Sequence, residues 1–267
     1  MKTALARYVA LAALLAAAPH ASAATITDLT TWTLVEDPAH PNMSAVQDSL
    51  LLSTLAASGA VPSGTDIGFA SLDGADAGAS LSGYAFDPAQ PFSVAIDFDV
   101  SAVDSVGGGA IGFGIGEDID GVDSAGVVLG LLNGSPVAFL GSGRVGDVDV
   151  APVSFPVVPF KTGRFFVDYD PAGPITLGIN ATLGAANPSM TQTLNGLPAQ
   201  WDGEPLLVSF FLRSQSAGPI SGFASGEVTA VFSNFAVTSG APFAVPEPSA
   251  LAGVVSLVGL AAPIRRR

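Results

Sequence analysis

The chain has 267 residues, with 23 acidic and 9 basic side chains, no cysteine, and a formal net charge of −14. So acidic a chain repels phosphate backbones, which argues against nucleic acid as a partner. The lack of cysteine removes thiolate nucleophiles, cysteine metal ligands and disulfides, so the fold must hold by packing alone.

Met1 to Ala23 has the three parts of a secretory signal peptide. Lys2 and Arg7 supply the positive start, Tyr8 to Ala18 an apolar run, and Ala21-Ser22-Ala23 the small residues of a cleavage site. The expectation is an N-terminal signal helix, removed by signal peptidase so that the mature chain starts at Ala24. Residues 24–245 then hold 22 acidic and 4 basic side chains, a net of −18. That length is enough for one large all-β domain, expected over residues 24–238.

From there the chain reads as strand after strand. Less regular candidates are Asp28 to Val35, Ser49 to Leu55, Asp66 to Leu72, Ser80 to Phe86 and Ala125 to Leu132, with a short turn of helix near Met43 to Leu55. Phe92, Val94, Ile96, Phe98 and Val100 alternate with small or acidic residues, the period of a half-buried strand. Gly107-Gly108-Gly109 reads as a flexible turn. Ile111, Phe113 and Ile115 alternate with glycines, which suggests close approach of another backbone or of a ligand. Phe165-x-Val167-x-Tyr169, Ile175 to Leu183, Leu206 to Leu212 and Val228 to Val237 complete the set, and Ser239 to Ala244 reads as a linker. Short strands with turn signals between them predict a two-sheet β-sandwich or jelly roll.

Chemistry-bearing residues are few. His40 is the only histidine beyond Ala23 and lies in Asp37-Pro38-Ala39-His40-Pro41, which reads as a loop rather than part of a catalytic relay. Asp118, Asp120 and Asp123, with Gly121, have the spacing of carboxylates on a glycine-bent loop and are candidate calcium ligands. Asp-Gly turns arise equally without metal. Asp97 and Asp99 share a strand face, as do Asp118 and Asp120, which is one arrangement used for glycoside cleavage. Trp201, beside Asp202-Gly203, is a candidate sugar platform or a packed loop anchor.

The last stretch, residues 245–267, reads Val-Pro-Glu-Pro, then an uncharged run from Ser249 to Ile264, then Arg265-Arg266-Arg267. As a helix the run is about 24 Å long at 1.5 Å per residue, and terminal arginines can snorkel to the interface. It is expected as a transmembrane helix with the arginines cytoplasmic. Pro246-Glu247-Pro248, an apolar span and an arginine cluster, in this order at an exported chain's end, resemble the PEP-CTERM sorting domain of Gram-negative bacteria. That resemblance implies cleavage by an exosortase near the Pro-Glu-Pro, transient anchoring in the inner membrane, and release to the cell surface or an exopolysaccharide matrix.

Phe92 to Asp99, then Gly163-Arg164-Phe165-Phe166-Val167-Asp168-Tyr169, Ile175 to Ile179, and Val228 to Phe235 loosely resemble concanavalin A-like jelly rolls. That likeness implies the fold and a tendency to bind glycans. The glutamate-rich signature Glu-x-Asp-x-x-Glu of the glucanases in that group is missing. The expectation is therefore an exported structural or weakly glycan-binding protein that is not an enzyme. A glycan-active hydrolase and a calcium-dependent adhesin are the alternatives.

Overall fold

The computed structural model describes residues 29–71, 84–117, 121–146, 148–150, 153–154, 160–215 and 222–244. Two antiparallel sheets face each other across one core. Sheet A runs β1 (Thr33–Asp37), β4 (Thr65–Ala70), β14 (Leu207–Ser214), β6 (Phe92–Gly116), β7 (Ser124–Leu132) and β8 (Ser135–Val145). Short β9 (Val148–Asp149) and β10 (Val153–Ser154) line the far edge of β8. Sheet B runs β2 (Met43–Ser49), β3 (Leu52–Ser58), β15 (Phe223–Ser239), β6, β11 (Thr162–Tyr169), β12 (Ile175–Asn180) and β13 (Met190–Leu194). A two-strand ribbon, β5 (Tyr84–Ala85) with β16 (Phe243–Ala244), pairs separately and packs through Ala85 on Ala70 and Leu207 of sheet A. This is the all-β sandwich that the alternation predicts.

The strand common to both sheets is β6, 25 residues long. Its first part pairs with β11 and β15, and its last part with β14 and β7. Phe92, Val94, Ile96, Phe98 and Val100 face the core from sheet B, and Ile111, Phe113 and Ile115 face it from sheet A, all at most 2% exposed. Their partners continue the same layer: Phe165, Val167 and Tyr169 on β11, Val208, Phe210 and Leu212 on β14, Ala125, Val127, Leu129 and Leu131 on β7. Trp32 packs in the core against Phe210 and Phe235, with ring centroids 5.2 and 5.0 Å away. Each such aromatic or aliphatic side chain contributes about 1.5–3 kcal/mol by leaving water, which suffices without disulfides.

Several sequence expectations need correction. Met43 to Leu55 holds no helix: its inward residues Met43, Ala45 and Gln47 alternate, and the segment forms β2 and β3 joined at Leu50–Leu51. Gly107-Gly108-Gly109 is no free turn but lies within β6, since its backbone pairs with Phe223, Leu132 and Ser214. Ser239 to Ala244 is no free linker, because Phe243 and Ala244 pair with Ala85 and Tyr84. β12 stops at Asn180, and Leu183 stands 52% exposed in the following loop. No helix among the described residues is long and apolar enough to cross a membrane. The signal helix, Ala21, Ala23, Pro246, Glu247, Pro248 and Arg265, Arg266 and Arg267 lie outside the described residues.

On the outer face of sheet B a charged cluster is buried. Asp97, 1% exposed, accepts hydrogen bonds from Arg164 Nη1 at 2.9 Å, Asn234 Nδ2 at 2.9 Å and the Gly184 backbone N–H at 3.0 Å. Arg164 Nη2 also donates to the Asn234 carbonyl at 3.2 Å. The cluster thereby ties β6, β11, β15 and the loop after β12 together. Removing one partner of a buried pair leaves an uncompensated charge, which typically costs about 3–5 kcal/mol. Asp97→Ala is therefore expected to lower the melting temperature by about 6–20 °C, at 2–4 °C per kcal/mol for a domain of this size. A drop of under 2 °C in a calorimetric scan would show that the cluster is not a structural tie.

Candidate functional site

The outer face of sheet A carries a trough paved with small residues. Strand register places Ser209, Gly114, Gly126 and Ser142 side by side across β14, β6, β7 and β8, while Ala70, next in the row on β4, is covered by Ala85. At about 4.8 Å between strands, the open row runs roughly 14 Å across the sheet. Gly114 and Gly126 face each other so closely that a methyl on Gly126 would stand 2.6 Å from the Phe113 carbonyl and 2.9 Å from Gly114 Cα. Backbone pairing therefore dictates the bare floor. The neighbouring row is Gly68, Phe211, Gly112, Val128 and Leu140. The Phe211 ring lies flat over Gly112, where an added Cβ would be 2.4 Å from its atoms, and it stays partly exposed.

Arg213, on the same face, stands with its guanidinium carbon 5.4 Å from the Phe211 ring centroid and forms a two-pronged ion pair with Asp66. Its protonated form is favoured first by the Asp66 hydrogen bond, with further contributions from Asp149 and Asp37. Asp149 sits on β9, beyond β6, β7 and β8 from Arg213. An open row of small residues beside a partly exposed aromatic ring leaves room for an extended ligand to lie against the sheet.

At the β6–β7 end of sheet A, on the core side that Ile115 and Ala125 face, oxygens of Glu117, Asp123 and Asp202 lie within 4.8 Å of one another. Glu117 is 5% exposed and Asp123 7%. Glu117 Oε2 accepts from the Asp202 N–H at 2.9 Å, and its Oε1 from the Gly203 and Glu204 N–H groups at 2.7 and 2.9 Å. Asp123 Oδ1 accepts from the Gly146 N–H at 2.8 Å. Burial pushes the Glu117 carboxyl up; its three N–H donors pull it down, and Asp123 adds to the rise. Those three N–H dipoles point their positive ends at Glu117, so it serves first as a clasp for the loop before β14. Together the trio could offer a cation three carboxylate groups, where calcium takes six to eight oxygens.

Two aromatic residues close this corner. Tyr169 donates to the Pro88 carbonyl at 2.8 Å, and its hydroxyl is pushed up to about 12 by burial, with Glu117, Asp170 and Asp87 adding. Trp201 stacks on it at 6.3 Å between ring centroids and donates through Nε1 to the Arg144 carbonyl at 3.1 Å.

Of the residues singled out from sequence, the fold brings Asp123 and Trp201 to this corner. Asp118 and Asp120 lie outside the described residues. Trp201 is 8% exposed, so the exposed-platform expectation is corrected: its ring is spent on Tyr169 and its N–H on Arg144. Asp97 is held by Arg164 while Asp99 faces solvent, so these two do not act as a pair. His40 lies between β1 and β2 and accepts at Nδ1 from the Asn42 N–H at 3.2 Å. Glu117 and Phe211 carry no mark in the sequence: the partners of Glu117 come from residues 202–204, far along the chain, and Phe211 is one more strand aromatic.

Glu117→Gln removes one acceptor oxygen facing three backbone donors, and an unsatisfied buried group costs about 1–3 kcal/mol. The loss depends on pH in a defined direction. A carboxyl whose folded pKa is raised adds stability below its ordinary value of 4.5, and loses it as pH rises through the raised value. The stability gap between wild type and Glu117→Gln should thus be widest in acid and narrow as pH rises, in chemical denaturation series. A gap that widens with pH would contradict this placement of the charge.

No family model matches the sequence, and no curated protein matches it. Solved structures with a similar arrangement of strands do exist. One is a GH16 protein of the mixed-linkage glucan locus of Bacteroides ovatus, in complex with product, at 11% identity and TM-score 0.49, covering 84% of this chain and 98% of that one. Another is the Bacillus licheniformis β-glucanase, at 11% identity and TM-score 0.46, covering 81% and 96%. The laminarinase catalytic domain of Thermotoga petrophila follows at 10% identity and TM-score 0.45, covering 80% and 92%. At such identity the likeness concerns the fold, and no residue's role is carried across. These neighbours are enzymes, and against them the expectation of a protein that is not an enzyme is withdrawn.

Proposed function

We propose that this chain is an exported, glycan-active protein of the cell surface or exopolysaccharide matrix, with a polysaccharide strand lying in the trough of sheet A. The observation that carries the reading is the bare row Ser209, Gly114, Gly126 and Ser142 beside the partly exposed Phe211. A pyranose presents C–H groups that pack on an aromatic face, while its hydroxyls meet serine and backbone groups. Delivery rests on the ends of the chain: Met1 to Ala23 as a signal, and Pro246-Glu247-Pro248 with the arginine cluster as an exosortase substrate.

Hydrolysis is the second reading, favoured by one observation: Glu117, raised by burial, within 4.8 Å of Asp123 and Asp202. Glycoside cleavage uses a proton-donating carboxyl and a partner carboxylate about 5–9 Å apart. Asp202, exposed in the loop facing Glu117, is the carboxylate of the three that a bound sugar can reach.

Purified residues 24–245 incubated with neutral β-glucans separate the readings. Phe211→Ala should weaken binding about tenfold, the equivalent of about 1.4 kcal/mol, and Ser142→Trp should abolish it by filling the floor. If reducing ends form, Asp202→Asn should stop their release while binding persists. Unchanged affinity in both trough variants would rule out this face as the site.

A further inference from the structure

We propose that Asn195 is a self-modification site, converted by water to aspartate and isoaspartate while the domain stays folded. The fold protects the chain's other Asn-Gly pair, Asn133-Gly134, from the same reaction.

The reaction needs an asparagine followed by a residue whose backbone nitrogen reaches the side-chain carbonyl carbon, and glycine, without a Cβ, obstructs it least. The glycine nitrogen gives its proton to hydroxide and bonds to asparagine Cγ. The Cγ–Nδ2 bond breaks, and the amide nitrogen leaves as ammonia. Water then opens the resulting ring at either carbonyl. One opening gives aspartate, and the other gives isoaspartate, with the main chain routed through Cβ. Only water and hydroxide take part.

The two Asn-Gly pairs of the sequence stand in opposite surroundings. Asn133-Gly134 joins β7 to β8 and is held from both sides. Asn133 Oδ1 accepts from the Gly107 N–H at 2.9 Å, and the Asn133 N–H donates to the Gly107 carbonyl at 2.8 Å. Gly134 is buried, and a Cβ on it would stand 2.2 Å from that of Ala102. Ring closure there must break the bond that fastens the β7–β8 hairpin to β6. Asn195-Gly196 follows β13, and both residues are exposed. Among the described residues the Asn195 side chain has no hydrogen-bond partner. Gly196 has φ 73°, and a Cβ built on it meets nothing within 4 Å. The flanking Leu194 and Leu197 are buried and pack over Gly143, so the pair is an open link between two anchored residues. Cyclisation at Asn195 therefore costs no contact. Each event adds a carboxylate to an already acidic chain, and isoaspartate also lengthens the main chain just before the Pro198–Gln200 turn that leads to Trp201.

The test holds purified residues 24–245 at mildly alkaline pH for several weeks, with a parallel sample unfolded in urea, and follows both sites by peptide mass mapping. In the folded sample Asn195 should convert at least about tenfold faster than Asn133, which reacts only from a locally opened state. In urea the two sites should convert at similar rates, since both are Asn-Gly. Isoelectric focusing of the folded wild type should resolve a growing acidic band that Asn195→Gln lacks. Equal rates in the folded sample, or a faster Asn133, would overturn the proposal. A rate difference that persists in urea would assign it to the sequence and overturn the protection by the fold. An acidic band that grows unchanged in Asn195→Gln would place the modification elsewhere and overturn the site.

Discussion

The structure depends on one strand being central to two sheets at once. β6 runs 25 residues from Phe92 to Gly116, and each half must keep its apolar residues on the core side while the chain passes between layers. The passage is made at residues 103–107, where Asp104 adopts φ 48°, Gly107 φ 118°, and the register with β15 shifts repeatedly. A slip by one residue in either half would turn its core side chains to solvent, so the bulges are what allows both alternations to coexist. β14, β15, β7 and β11 are then placed by pairing with β6.

That arrangement decides what the outer faces can be. On sheet B, small loops and the Asp97–Arg164 pair cover the outer surface near β11 and β12. On sheet A, the outward positions of the last half of β6 are Ala110, Gly112, Gly114 and Gly116, and β7 answers with Gly126 and Gly130. Close backbone approach requires several of these glycines, and the result is a face with few side chains standing above it. The same residues that allow tight strand pairing thus create a surface to which a long, flat molecule can lie parallel. Phe211 is the one large side chain in its middle, and it lies down because Gly112 leaves room.

Most of this fold was legible in the sequence where alternation is strict. Phe92 to Val100, Ile111 to Ile115, Ala125 to Leu132 and Val228 to Val237 read correctly because each has one buried face. What misled were positions whose structure is set by partners far along the chain. Three consecutive glycines suggested a turn, yet pairing to Ser214, Leu132 and Phe223 keeps them extended. β8 was hidden because Gly141 and Gly143 stand at inward positions where apolar residues were sought, their space filled by Val153, Leu177, Leu197 and Val150. Trp201 drew notice as an aromatic in a loop, but its burial depends on Tyr169 and on Glu117 holding the next three residues. The trough itself could not be seen, since its floor is assembled from four strands and marked only by absent side chains.

On the proposed function, the outer face of sheet A, and no other surface, receives the ligand. Amide hydrogen exchange of residues 24–245, with and without saturating oligosaccharide, addresses it most directly. Slowed exchange confined to β14, the second half of β6 and β7 is the expected result. Protection confined to sheet B, or no change in β14 and β7 at saturation, would contradict it.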